Sequence, residues 1–319
     1  MNLQIHNEKP FDLAIAGELN LDLILYGLPL LMETERDLLG TNFVATLGSS
    51  SAIVAHNAAA LGLRVRFVTV VGDDDFGRIA LERLRRGGVE TSGSIIDPTL
   101  TTGVTIMLPH GEVRHSLSYL GSITALTAEH LHLDDLAQAR HLHISSLYLQ
   151  TGLHRGIVEV LRYMKAAGLT ISLDTNDDPA NQWGPPLYDM LPFVDVFMPN
   201  EGEISRMTGA ADIDVAISAF DSKVPTVVVK RGKRGCRVRH LGQVTEVPGI
   251  AVNPVDTIGA GDSFDAGFLY AYLKGNDPIA SARAGNITGA LSTLSPGGTE
   301  AFRNQPSLKS FLRQHNFPQ

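Results

Sequence analysis

The chain has 319 residues, 44% of them hydrophobic, with 34 acidic side chains against 26 lysines and arginines and a formal charge of −8. That length and apolar content suit one large or two modest α/β domains with a sizeable core and exclude global disorder, while the acidic balance argues against a broad nucleic-acid or membrane-surface interface. The single cysteine, Cys236, excludes an internal disulfide and a Cys-based zinc site and fits a reducing compartment.

Residues 1–7 carry no basic segment followed by an apolar stretch, and no apolar run approaches the ~20 residues of a bilayer crossing, so a soluble cytoplasmic protein is expected. Strands are predicted at 13–16, 65–71, 141–145, 170–173, 194–198 and 226–229. Helices are predicted at 51–61, 76–86, 152–167, 202–208, 263–273 and 278–294. The alternation predicts a single α/β domain over 1–319: a doubly wound, mainly parallel sheet with helices on both faces. Such sheets bind ligands beyond their strand carboxyl ends. Segments 21–44 and 101–119 break the alternation, with a hairpin turn expected at 109–112. They suit a small β-lid built from about residues 20–46 and 100–120.

Polar motifs follow the predicted strands. Asn20 and Asp22 are two apart, so an extended chain turns them the same way, and an amide beside a carboxylate suits sugar hydroxyls as well as a surface turn. Gly48, Ser49, Ser50 and Ser51 lead into an Ala-rich helix, either lining a polar ligand or capping the helix. Asp174 and Asn176 suit substrate, metal-bound water or a capped turn before Pro179. Asn200 and Glu203 suit water-mediated magnesium binding or a capping box. Lys230, with Gly232 and Gly235 in the basic turn after it, can meet nucleotide phosphates. The pairs His141/His143 and His130/His132 have no further ligands to complete a metal site. The chain lacks a Walker phosphate loop, the protein-kinase H-R-D and D-F-G pair, and a G-x-G-x-x-G after its first strand.

The most informative run is 255–268. Gly259, Ala260 and Gly261 let a backbone approach a ligand, Asp262 follows at once, and Phe264, Phe268 and Tyr272 then recur every four residues as a helix would place them. Amides at a helix start hold anions, and an adjacent carboxylate can take a proton from an attacking hydroxyl. The alternative is a glycine turn before a core helix, with Asp262 as a dipole partner.

The segment Asp256-Thr257-Ile258-Gly259-Ala260-Gly261-Asp262 resembles the C-terminal signature of the ribokinase-like (phosphofructokinase-B-type) carbohydrate kinases, and similarity extends over roughly residues 11–300. The resemblance implies ATP-dependent phosphorylation of a sugar-like hydroxyl, with Asp262 as base, residues 259–261 as anion hole and Asp22 as substrate holder. It implies that Asn200 and Glu203 position Mg2+, and that Lys230, Gly232, Gly235, Thr257, Asn286 and Gly298 line the nucleotide. It also implies a monovalent cation such as K+ at Asp256 and Ile258, and a homodimer through the lid. Ser49 and Ile53 stand where the family usually has glycine and asparagine. Relatives acting on acidic sugars tend to carry arginine near Asp178, so the carboxylate there implies a neutral acceptor. A nucleoside kinase of the same family, or a catalytically weak sugar- or nucleotide-binding regulatory protein, are the alternatives.

Overall fold

The computed structural model describes residues 9–110 and 113–318, so Gly111 and Glu112 of the expected hairpin turn lie outside the described residues. The chain opens with β1 (Phe11–Ala16), β2 (Asn20–Tyr26), β3 (Asn42–Gly48), α1 (Ser50–Leu61), β4 (Val65–Val68), β5 (Val70–Gly72) and α2 (Asp75–Arg86). It continues through β6 (Ile95–Asp97), β7 (Gly103–His110), β8 (Val113–Tyr119), α3 (Leu133–Leu136), β9 (Ala139–Ile144), α4 (Thr151–His154), α5 (Ile157–Ala166), β10 (Thr170–Leu173), α6 (Leu187–Met190) and β11 (Val196–Phe197). It ends with α7 (Glu201–Thr208), α8 (Ile213–Ser218), β12 (Thr226–Lys230), β13 (Cys236–His240), β14 (Gln243–Val247), α9 (Ala260–Leu273), α10 (Pro278–Ser292), α11 (Glu300–Arg303) and α12 (Gln305–Gln314).

The main sheet runs β14-β13-β12-β11-β10-β9-β1-β4, parallel from β12 to β4, with β13 and β14 antiparallel at one edge. Its parallel strands are largely buried on both faces, as parallel sheets require. In β1, Leu13 and Ile15 join a core with α1, α2 and α9, whereas Ala14 and Ala16 join the opposite core with α5 and α7. The strand order reverses between β1 and β9, and the crevice beyond their carboxyl ends is where ligands of such sheets bind. No helix among the described residues is long and apolar enough to cross a membrane.

A second sheet, β3-β2-β7-β8, stands apart from the first. Its register sorts side chains by parity. Asn20, Asp22, Thr46, Thr105 and Ser118 share one face, and Leu23, Ala45, Ile106 and Leu117 share the other.

Two expected elements break. The strand over 65–71 divides at Thr69: β4 pairs with β1, and β5 leaves to pair with β6. The helix over 152–167 divides into α4 and α5 because Gly156 takes a left-handed φ of 90° that no helix can continue through.

Candidate active site

Helix α9 starts from Gly259, whose φ of 71° and ψ of 9° are left-handed. A side chain at Gly259 would collide with the backbone of Gly298, so the glycines at 259 and 298 let two loops touch. Asn57 pins this contact: its Nδ2 donates to Gly298 O at 2.9 Å and to Ser263 Oγ at 3.0 Å. The Ala260 amide donates to Thr257 O at 3.3 Å and that of Ser263 to Gly259 O at 2.9 Å. The amides of Gly259, Gly261 and Asp262 donate to no described group. Three N–H groups at the positive end of a 14-residue helix are thus free for an anion.

Asp262 lies in the first turn of α9, buried, with Ser50 as hydrogen-bond partner. Burial raises its carboxyl above the usual carboxylate range and the Asp174 charge adds to this, while Ser50, Lys230 and Arg114 oppose. Ser50 also accepts from Asn176 Nδ2, which donates to Ser146 Oγ at 3.0 Å.

Behind Asp262 lies a buried ionic cluster. Lys230 Nζ donates to Asp174 Oδ2 at 2.7 Å and to both Asp265 oxygens at 3.2 Å. Burial alone would lower the Lys230 ammonium, but Asp174, Asp265 and Glu203 raise it above its ordinary range. Burial acts to raise Asp174, yet Lys230 and hydrogen bonds from Asp265 and the Asn176 amide hold it low. Asp265 is driven well up, by burial first, and so carries the proton of the Asp174–Asp265 pair. Sequence position had assigned Lys230 to nucleotide phosphates; in the fold its ammonium is committed to these carboxylates, 3.7 Å from where a Gly261 side chain would begin.

Glu203 and Asn200 form a capping box at the start of α7: Asn200 N donates to Glu203 Oε2 at 2.8 Å and Glu203 N to Asn200 Oδ1 at 2.9 Å. Burial, then the Asp174 charge, pushes Glu203 up to about 7 against Lys230. No cluster of three or more His, Cys, Asp or Glu side chains among the described residues is arranged to hold a metal by itself. His141 and His143 both bond Ser172 Oγ at 2.7 Å inside the sheet.

On the facing sheet, Asn20 Nδ2 donates to Thr105 Oγ1 at 3.0 Å. Asn20 Oδ1 and Ser49 Oγ are buried with no protein partner. Ser49 holds a φ of 67° and ψ of 132°, a conformation that favours glycine. A Cβ on Gly48 would lie 2.5 Å from Asp22 Cγ and closer to Asp22 Oδ1 and Asn20 Oδ1, so both side chains lean over this residue. Burial, and then the Asp262 charge, raises Asp22 to about 7 against Arg114. Ile53 points at Gly298 and Gly259 rather than into this polar face.

Tyr26, on the same face as Asp22, donates its hydroxyl to Asp256 Oδ2 at 2.7 Å. The Asp256 carboxylate also accepts from Ile258 N at 2.9 Å and Gly297 N at 3.0 Å, so it does not suit a cation ligand. The carbonyl oxygens of Asp256 and Ile258 accept no hydrogen bond from described groups.

The expected nucleotide residues divide. Gly232 and Gly235 give the turn after β12 its left-handed φ values of 56° and 89°, and Thr257 is exposed. Arg231 and Arg234 of that turn pair with Glu201, and Arg231 also with Glu246. Asn286 Nδ2 donates to Val247 O and Pro248 O at 3.1 Å, so it braces the loop after β14. Asp178 accepts from the amides of Ala180, Gln182 and Trp183 at 2.7–3.0 Å, which turns its charge into its own loop and removes it as a reason for a neutral acceptor.

Sequence reasoning missed Arg114, Tyr26 and Asp265. Strand parity carried a signal for Tyr26 with Asp22, and the three-residue spacing on one helix face carried one for Asp265 with Asp262.

The family model described as "pfkB family carbohydrate kinase" matches residues 11–305. The chain belongs to this family. Among its members, the ribokinase of Haemophilus influenzae is 25% identical over 306 residues, covering 94% of this chain and 98% of the relative. The ATP-dependent ribose-1-phosphate kinase of Halopiger xanaduensis is 31% identical over 263 residues, covering 82% and 83%. The structure of Arabidopsis thaliana ribokinase complexed with ribose and ATP superposes with a TM-score of 0.80 at 22% identity, covering 95% of this chain and 99% of that one. The expected doubly wound α/β fold of this family is therefore the fold observed.

Proposed function

We propose that the protein is an ATP-dependent sugar kinase that transfers the γ-phosphoryl group to a hydroxyl of a neutral carbohydrate. The reading is carried by the unpaired amides of Gly259, Gly261 and Asp262 at the same helix end as the Asp262 carboxyl, within electrostatic reach of Asp22. Asp262 orients the acceptor hydroxyl and takes its proton. The transition state of phosphoryl transfer is loose, so alignment matters more than basicity. The free amides and the α9 dipole stabilise charge on the equatorial oxygens, where losing one donor in a comparable site costs ~10²–10³ in rate. Mg2+ would be held near Asn200 and Glu203, partly through water, and would supply positive charge for the phosphates. The free carbonyls of Asp256 and Ile258 suit a K+ ion.

The acceptor is neutral on this reading because the Asp262 charge already raises the cost of ionising Asp22. The orphaned Asn20 Oδ1 and Ser49 Oγ offer an acceptor and a donor for hydroxyls. The four-stranded sheet acts as the lid, with Tyr26 reaching from it to the Asp256 turn. Its outer face, with Phe43, Ile106, Leu117 and Tyr119 exposed, supports a homodimer, and a monomer by sedimentation at assay concentration refutes this part. ATP-dependent chemistry and one buried thiol fit the cytoplasm.

The test is a coupled assay of neutral sugars, nucleosides, sugar acids and sugar phosphates with Mg-ATP. Neutral sugars should turn over fastest. A nucleoside in that position makes the protein a nucleoside kinase, and no turnover of any acceptor makes it a binding protein. Asp262→Asn should keep the fold and ATP binding and lower turnover ~10²–10⁴-fold; near-normal turnover removes Asp262 from its role.

A further inference from the structure

A cavity of about 430 Å³ is walled by Leu47 of β3, His56 of α1, Arg83 and Arg86 of α2, and Phe302 and Arg303 of α11. None of the residues assigned above to acceptor, nucleotide or metal lines it. Its charge is unbalanced. Arg86 pairs with Glu82 and Arg303 with Glu300, but Arg83 has no carboxylate within ion-pair distance among the described residues; it donates instead to Ala45 O at 2.7 Å. His56 is only 4% exposed. Asn57 Nδ2 is a donor to Ser263 and Gly298, so Asn57 Oδ1 accepts, and His56 Nδ1 at 2.9 Å must carry the proton. His56 Nε2 has no described hydrogen-bond partner, and its edge of the ring faces Gly87, where a Cβ would lie 2.7 Å from Cδ2 and 3.2 Å from Nε2.

We propose that this cavity is a second ligand site, which takes the phosphoryl group of a small phosphorylated metabolite between Arg83, Arg303 and His56. Guanidinium groups match phosphate oxygens in geometry and charge. The volume exceeds what a free phosphate fills, and Leu47, Ala60 and Phe302 supply an apolar wall for the rest of the molecule. The site reaches the phosphoryl-transfer turn through one chain of hydrogen bonds, from His56 through Asn57 to Gly298, which packs on Gly259.

Binding should also take up a proton. A bare Nε2 lone pair repels a phosphate oxygen unless a proton lies between them. Burial holds His56 below its ordinary value, with Arg303 adding to this and Asn57 and Glu300 opposing, and Arg83 and Arg86 face it from α2. A phosphomonoester loses its second proton near pH ~6. Above neutral pH neither partner holds the shared proton, so it must come from solvent.

The experiment is calorimetric titration of the full chain, saturated with Mg2+ and a non-hydrolysable ATP analogue to cover the catalytic turn, using inorganic phosphate and glycerol 3-phosphate in buffers of different ionisation enthalpy above neutral pH. One site per chain with proton uptake is expected. Arg83→Gln with Arg303→Gln should weaken it at least about tenfold, the loss of one or two charge-assisted hydrogen bonds, while Asp262→Asn should bind as the wild type does. Tighter binding of glycerol 3-phosphate identifies a metabolite site, and equal binding identifies free phosphate as the source of the same chemistry. No binding at about 10 mM, binding without proton uptake, or full affinity in the double arginine variant overturns the proposal. The proton measurement needs no variant, so it decides the matter even if the arginine variant is unstable.

Discussion

A single methyl group should separate folding from acceptor recognition. Gly48 has no left-handed φ, so alanine is tolerated by the backbone. Its new Cβ would nonetheless lie 2.5 Å from Asp22 Cγ. Two carbon atoms rest comfortably about 3.5–4.0 Å apart, so the Asp22 carboxylate must retreat by about 1 Å or more. Asn20 must move with it, because its Oδ1 meets the same methyl. A misplacement of this size costs on the order of 10²-fold in a positioned reaction, and the overpacking itself costs about 1–3 kcal/mol of stability. Steady-state kinetics of Gly48→Ala with the best acceptor should therefore show kcat/KM for the acceptor reduced about 10²-fold, with the KM for ATP unchanged and a cooperative melt retained. Acceptor kinetics equal to those of the wild type would mean that Asn20 and Asp22 hold no substrate.

Three further outcomes are expected. Lys230→Met leaves Asp174 and Asp265 buried without their cation, and chemical denaturation should register a loss of about 3–5 kcal/mol; Asp174→Asn added to it should restore part of the loss, and a single variant as stable as the wild type refutes the cluster's role. Asp22, raised to about 7, begins to lose its proton near pH 4 in the unfolded chain and only near neutrality in the fold. The folded state binds more protons in between, so stability relative to Asp22→Asn should fall as pH rises across that window, by at most about 1.4 kcal/mol per pH unit, and a flat difference refutes the shift. Ser49→Gly releases the strain of a φ of 67°, and after the entropy glycine loses on folding it should stabilise by about 1 kcal/mol in a denaturant titration, whereas destabilisation would mean that Ser49 is unstrained.

Buried elements were legible where both faces of a strand are apolar. The strand at 170–173 appears over the expected residues, and β1 differs only at its start. The two antiparallel strands at one end of the sheet were not legible: β13 carries Arg237, Arg239 and His240, and β14 exposes four of five residues, so neither presents an apolar run. The break at Thr69 depends on which neighbour the backbone bonds to, and hydropathy does not record that. In the site, the glycine turn stood out in local sequence, but which of its amides are free did not: the Ala260 amide, expected in the anion hole, donates to Thr257 O, while the Asp262 amide is left free. The ion pairs of Lys230 were not legible because a strand-end lysine looks solvent-directed until the fold brings Asp174 from β10's end and Asp265 from α9 beneath it. Arg114 could be linked to the acceptor side only once β8 was registered against β7.

That placement of Lys230 explains how two aspartates three residues apart on α9 come to differ. Asp265, one turn deeper, is fully buried against Asp174 and keeps its proton, so it serves as a donor that secures Asp174. Asp262 lies at the positive end of the helix, where the dipole favours its ionised form by about 0.3–1 kcal/mol, and it retains 8% exposure. Lys230 acts on both sites, neutralising Asp174 and drawing Asp262 toward ionisation. Both carboxyls are raised by burial, but Asp265 far more than Asp262, and the difference comes from the depth of one helical turn and the position of one ammonium.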